Sequence, residues 1–453
     1  MSTLGELRQR IEGQGLDMTA SRLKVSRILY DLECRGFHGS ETREAILGFV
    51  PGRIELLGKH TDYAGGHSLV CAVDRGFLFL ATRTDTPLVR MIQPGTEFLP
   101  AQFPLSADIE PPLGRWENYP MTMTQRLAAN FGWRGTDPVG VDIAFASDLP
   151  VGSGMSGSSA LMMLTFCALS WAKGLQEATL FKANIATGED LAMYLACAEN
   201  GQSFRDLAGQ TGVGTFGGSE DHTAILNCRD GSLSYYSYAP TVLAEELSWP
   251  EDWALLIGFS GVRAEKTKSA REKFNAASRR AVRAVESFNE ARSTHHSLLR
   301  DLPQTAAFAD SEIEDRVRQF FEEETRYMPA AIAALRGHDV GGFGEQLNLS
   351  HRASARLLGN VAPQVDALQK SALSLGAAGA TCFGAGFGGS LYAVTAAERA
   401  EEIGRAWQAL YASTHPEESR EASFFRTRPS SGIRLWNGAE SHRLVDELFD
   451  AGS

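Results

Sequence analysis

The stretch GRIELLGKHTDYAGG, residues 52–66, sets Arg53, Lys59, His60 and Asp62 among apolar residues and between glycines. An apolar run of this kind reads as a buried strand, yet each polar group buried without a partner costs about 1–3 kcal/mol. A fold that contains the segment must therefore leave it open to water or supply polar partners. A bound polar ligand is one way to supply them.

The chain has 453 residues, which is too long for one ordinary core and points to two domains or one two-lobed molecule. Its formal charge of −12 argues against non-specific binding to nucleic acid or to an acidic membrane surface. The cysteines (Cys34, Cys71, Cys167, Cys197, Cys228 and Cys382) are scattered, with no C-x-x-C or Cys/His zinc spacing. That usage fits a reducing cytoplasm better than a disulfide framework. The N-terminus is polar and charged, unlike a signal peptide, and no apolar run reaches membrane-spanning length. The expectation is a soluble cytoplasmic protein.

Residues 4–48 read as short amphipathic helices broken at glycines, an N-terminal extension over 1–48. Strand-like runs follow, HSLVCAVDRGFLFLATRT and then GVDIAFASDL. PVGSGMSGSSALMMLTFCALSWAKGL passes from a strand end through a small-residue loop into a helix, and GEDLAMYLACAENG is helical. WALLIGFSGV is another buried-strand candidate, followed by a charged helical run over AEKTKSAREKFNAASRRAVRAVESFNEAR. Residues 312–375 look mainly helical, GATCFGAGFGGSLYAVT returns to loop and strand, and GIRLWNG suggests a last strand. Strands and helices mix without repeated βαβ alternation, so the expected class is α+β. YYSYAPTVLAEELSWP loses periodicity, which sets the expected domains at 49–240 and 241–453.

PVGSGMSGSS suits a phosphate. Small residues let the backbone approach an anion, and the helix that follows offers unpaired N–H groups with partial positive charge. Ser156, Ser158 and Ser159 add hydroxyls that could cap that helix or reach a metal ion. The loop is not a Walker A motif: the nearest imitation, GRIELLGKH, has its glycines one residue too far apart and His60 where Ser or Thr belongs. GAGFGG, residues 384–389, precedes a strand rather than opening a helix, so it does not serve as a dinucleotide fingerprint. A third loop ends in GGSEDH, where Glu220 and Asp221 are either an exposed turn or a carboxylate presented as a general base.

Taken in order, these elements resemble the GHMP small-molecule kinases, and within them the galactokinases. GRIELLGKHTDYAGG is similar to their sugar-binding signature, PVGSGMSGSSAL to their phosphate loop, GGSEDH to the element carrying the catalytic aspartate, and GAGFGGS to their third motif. The resemblance spans roughly residues 45–400. It implies a two-lobed α+β fold with the active site in the inter-lobe cleft, and ATP with Mg²⁺ as phosphoryl donor. It further implies a small sugar and ATP as partners; a monomer is expected. Carried over by position, Arg53, His60 and Asp62 contact the sugar, and Lys59 and Phe274 fall at substrate-contacting positions. Asp221 accepts the proton of the anomeric hydroxyl, with Arg53 holding it ionised. Gly152, Ser153, Gly154, Met155, Ser156, Gly157, Ser158 and Ser159 wrap the triphosphate, while Ser158 and Glu199 serve Mg²⁺.

The sequence departs from the pattern at four places. The family's Glu is Lys59, its Asn is Glu55, its Gln is His222, and the tyrosine of a Y-N-x-R-R segment is Phe274 in FNAASRR. A lysine accepts no hydrogen bond and brings positive charge. The expected function is a sugar 1-kinase acting on galactose or a related sugar. An acidic sugar is a candidate if Lys59 faces the ligand; if Lys59 instead pairs with Glu55 or another local acid, that reason disappears. The alternatives are a GHMP kinase for another sugar or sugar phosphate, and a catalytically silent sensor of sugar and ATP.

Overall fold

The computed structural model of the chain describes residues 2–13, 42–93, 99–135, 138–263, 268–384, 386, 389–436 and 440–449. In chain order the first part comprises β1 (Ser2–Thr3), α1 (Leu4–Glu12), β2 (Glu44–Leu57), β3 (His67–Thr84), β4 (Leu88–Ile92), β5 (Ala101–Pro104), α2 (Asn118–Phe131) and β6 (Gly140–Ser147). It continues with α3 (Gly157–Lys173), α4 (Thr179–Asn184), α5 (Gly188–Asn200), α6 (Glu220–Asn227), β7 (Ser232–Ser237) and β8 (Val242–Ser248). Then come β9 (Trp253–Phe259), α7 (Lys268–Arg292), α8 (Ser311–Glu322), a π-helical turn at Glu323–Tyr327, α9 (Met328–Arg336) and α10 (Val340–Ala353). After a second π-helical turn, Ser354–Leu358, follow α11 (Pro363–Ser374), β10 (Gly379–Cys382), β11 (Ser390–Ala396) and α12 (Ala400–Thr414). The chain ends with β12 (Ser423–Thr427), β13 (Pro429–Ser430), β14 (Arg434–Trp436), β15 (Ser441–Arg443) and α13 (Leu444–Phe449).

The long pair β2–β3 is the spine of the first lobe, in a sheet ordered β15-β14-β2-β3-β6-β4-β5. Gly76 on β3 stands opposite Pro51, which has no N–H to give the ladder, and a Cβ on Gly76 would lie 2.2 Å from the Val50 carbonyl. The register shifts between Pro51 and Arg53. A bulge of this kind bends the strand and re-aims the next side chain, here Arg53. α3 is apolar on nearly every face because it is buried on nearly every face, with Met162, Met163, Leu164, Phe166 and Leu169 in the main core between the sheet and the helical layer.

The second lobe carries the antiparallel sheet β10-β11-β9-β12. α11 and α12 cover one face through Val365, Leu368, Trp407 and Tyr411. The other face meets the first lobe: Leu255, Ile257, Tyr392 and Val394 share a core with Ile54, Leu56, Leu69 and Cys71. The fold is thus α+β and two-lobed, as expected. Among the described residues no helix is long and apolar enough to cross a membrane.

Three readings change. EAILGF, placed with the N-terminal helices, begins β2, because Ala45–Phe49 pairs residue by residue with Leu78–Thr82. The rest of the extension that is described, β1 and α1, packs Leu4 and Leu7 against Leu47, Phe49 and Trp436. YYSYAPTVLAEELSWP is not an aperiodic boundary: β7 and β8 form a hairpin on β3. Finally, the span 241–453 does not stay in one lobe, since β13 returns to β3 and β14 to β2. Strands of two and three residues are too short to show a period.

Replacing Gly76 with Ala should cost about 1–3 kcal/mol in denaturant unfolding, because the colliding atoms are backbone. Turnover should fall with it through the displaced Arg53. An unchanged unfolding midpoint would contradict this account of the bulge.

Candidate active site

Arg53 leaves the bulge almost fully buried, at 4% exposure. Its Nη2 lies 2.6 Å from Asp221 Oδ1, its Nε donates to the same oxygen at 2.8 Å, and its Nη1 donates to the Gly154 carbonyl at 2.8 Å. Asp221 lies in the first turn of α6, where the helix start favours an anion, and its side chain is about one-third open at 32%. Burial is the largest single influence and would raise this carboxyl's pKa, but the pulls that oppose it, led by the Arg53 guanidinium, together hold Asp221 below the ordinary carboxylate range. Its neighbours go the other way. Burial raises Asp62, raises Glu220 well above the usual value, and pushes Glu55 up to about 8 against the pull of Lys59 and Arg53. Of these four acids, only Asp221 is held ionised below the usual range.

The phosphate-loop candidate lies beside this pair. Ser156 caps α3 in a left-handed conformation at φ 57°, without a side-chain bond to the helix start. The first N–H groups of α3 are therefore turned to the loop rather than to a cap. Gly154 links the loop to Arg53, and the Met155 carbonyl accepts from Arg53 N at 3.3 Å. GAGFGG has a packing role that its sequence does not announce. A Cβ on Gly384 would lie 2.7 Å from the Gly154 carbonyl, and one on Gly389 would lie 2.9 Å from that of Ser153. The two glycine loops, one from each lobe, therefore lie back to back.

Ser158 and Ser159 both fall in the first turn of α3, and Ser159 meets two acids. Its Oγ donates to Glu199 Oε2 at 2.8 Å and lies 3.5 Å from Asp221 Oδ2. His222, noted in the sequence only as a departure, sets its Nε2 3.2 Å from the same Glu199 oxygen. Glu199 with the hydroxyls of α3 offers hard oxygen donors of the kind Mg²⁺ takes. Among the described residues no group of three or more His, Cys, Asp or Glu side chains could hold a metal ion.

On the other side stands the HTDYAGG turn. Asp62 Oδ2 accepts from Glu220 N at 3.4 Å, and a Cβ on Gly218 would come within 2.3 Å of it, so the GGSEDH loop is seated on this carboxylate. His60 has φ 60°, with Nδ1 2.9 Å from the Tyr63 hydroxyl and Nε2 3.4 Å from Asn360 Nδ2. Lys59 is 1% exposed and donates to Ser350 Oγ at 2.9 Å, and Ser350 donates on to Glu323. Lys59 is also the largest attraction acting on both Glu55 and Glu323. The two departures Glu55 and Lys59 thus interact with one another inside the protein. Phe274 falls on α7, and its side chain lies outside the described residues; next to it, Asn275 accepts from Phe216 N at 3.0 Å and donates to the Gly214 carbonyl at 3.2 Å.

The polar partners that the segment 52–66 requires come in part from α8 and the π-helical turn after it. Arg316 donates to the His60 carbonyl, Gln319 to that of Lys59, and Glu323 accepts from Gly58 N. Glu324 accepts from His67 N and meets the His67 ring. Their spacing was a usable signal: polar residues at 316, 319 and 323 alternate with apolar 313, 317 and 320 along one helix.

Comparison with known proteins bears on this arrangement. The model of the galactokinase galactose-binding signature matches residues 35–83, that of the GHMP kinases N terminal domain 118–197, and that of the GHMP kinases C terminal 331–413. Across these spans the chain is similar to the GHMP kinases. It is 28% identical to a galactokinase of Thermococcus kodakarensis over 391 residues, 85% of this chain and 99% of that one. It is 27% identical to a galactokinase of Halalkalibacterium halodurans over 401 residues, 86% and 92% of the two chains. Its fold matches that of Lactococcus lactis galactokinase complexed with galactose at a TM-score of 0.74, with 23% identity, covering 93% of this chain and all of that one. Mevalonate kinase of Methanococcus jannaschii matches at 0.53 with 13% identity, covering 87% and 99%.

Glu55 makes the fold sensitive to pH. Its carboxyl rises from an ordinary 4.5 to about 8 in the folded protein, so across that window the native state holds the extra proton. Stability must then fall as pH rises through the window. Glu55→Gln removes this dependence, so between about pH 5 and about pH 9 its thermal midpoint should gain several degrees on the wild type. Parallel curves would contradict the assignment.

Proposed function

We propose that this protein transfers the terminal phosphoryl group of ATP to the anomeric hydroxyl of galactose or a closely related neutral sugar. The observation that carries the proposal is the Arg53–Asp221 pair at 2.6 Å, partly open at Asp221 and tied through Arg53 to the Gly154 carbonyl of the phosphate loop. The sugar is the one for which the two curated relatives are named.

Phosphoryl transfer needs positioning and charge neutralisation more than covalent help. The backbone of residues 152–158 and the N-terminus of α3 would hold the triphosphate. His60 and Asp62 would hold the sugar with its anomeric hydroxyl toward Asp221. As the new O–P bond forms and the bond to the β-phosphate oxygen breaks, Asp221 takes the hydroxyl proton and ADP leaves. Arg53 keeps Asp221 ionised until then. Glu199, with Ser159 or Ser158, would hold Mg²⁺, which neutralises phosphate charge when bound with ATP.

A neutral sugar is favoured over an acidic one by the burial of Lys59 against Ser350 and Glu323, which spends its charge inside the protein. ADP release measured over galactose, galacturonate and other sugars tests both parts. Galactose should turn over, with galacturonate at least about tenfold poorer in kcat/KM. Asp221→Asn should lower kcat about 10²–10⁴-fold with little change in the KM for ATP. No ADP release with any sugar would overturn the reading, and a near-wild-type Asp221→Asn would remove the base from it.

A further inference from the structure

His60 is a non-glycine residue in the left-handed region, at φ 60°. Such a conformation persists only where the surroundings impose it, and it tends to mark functional sites. Here the surroundings are two side chains of α8 that are themselves almost wholly buried, Arg316 at 1% and Gln319 at 0% exposure. Arg316 Nη2 donates to the His60 carbonyl at 2.5 Å, and Gln319 Nε2 to the Lys59 carbonyl at 3.0 Å. Arg316 Nη1 also donates to Gln319 Oε1 at 2.8 Å, which locks the two together. The guanidinium lies over the Tyr63 ring, 5.6 Å from its centroid, and the Tyr63 hydroxyl is 2.9 Å from His60 Nδ1. Arg316 therefore touches the His60 unit twice, once at its backbone and once through the ring that orients its imidazole.

We infer that Arg316, braced by Gln319, is a positioning residue for the acceptor sugar: it holds the His60 backbone in the left-handed conformation that fixes where the imidazole points. The inference rests on the reading of His60 as a sugar ligand. It makes the acceptor site a joint product of both parts of the chain, with the ligand on the β2–β3 turn and its support on a helix 256 positions later. Arg316 touches no residue of the phosphate loop among the contacts described, so its loss should be felt on the sugar side alone.

The test is a double-mutant cycle with His60, read as KM for sugar and KM for ATP. Arg316→Met should raise the KM for galactose about tenfold or more while the KM for ATP stays within about twofold. In the His60→Ala background the same substitution should change the KM for galactose less than about twofold, because the group it acts through is gone. Gln319→Leu should show the same pattern more weakly, and it serves if Arg316→Met does not fold. Equal effects of Arg316→Met in both backgrounds, or equal effects on sugar and ATP, would overturn the inference. If His60→Ala alone left the KM for galactose unchanged, the sugar-ligand reading of His60 would be what failed.

Discussion

A buried guanidinium facing one partly open carboxylate is the interaction on which the rest of this molecule depends. Arg53 is almost wholly removed from water, and a buried charge that loses its partner costs about 3–5 kcal/mol. Asp221 and the Gly154 carbonyl supply the partners, so the strand, the start of α6 and the phosphate loop must all meet at one point. The same pairing gives Asp221 its chemistry. The surrounding acids are driven toward their neutral forms by burial, and the arginine leads the pulls that keep this one ionised.

Around that pair the backbone is shaped by close approach. The bulge opposite Gly76 turns Arg53 inward. Gly384 and Gly389 let the second lobe lie directly on the phosphate loop. α8 and its π-helical turn hold Gly58, Lys59 and His60 from behind, each through a backbone group. Rigid support from packed elements is what a positioning mechanism requires, since small displacements of the reacting groups cost large factors in rate.

Much of this was legible in the sequence because it is local. The apolar runs of β3, β6 and β9 and the loop-to-helix passage into α3 are patterns within a window, and the motifs carry the resemblance. The pairing of Arg53 with Asp221 across 168 positions was reached through the resemblance, not through periodicity. What escaped depends on distant partners. The sequence left Lys59 open between an acidic ligand and a local acid, and its bond to Ser350, 291 residues away, lies beyond any local window. The bond from Ser159 to Glu199 joins α3 to α5 across 40 positions, and only the packing of those helices reveals it. β13 and β14 are placed by free positions on β2 and β3, which no reading of two or three residues can foresee.

The most direct measurement is a crystal structure with galactose and a non-hydrolysable ATP analogue bound together. The account predicts the anomeric oxygen about 2.6–3.2 Å from the Asp221 carboxylate, with the terminal phosphate between it and the start of α3. An anomeric oxygen turned away from Asp221, or a sugar bound apart from Arg53, His60 and Asp62, would contradict it.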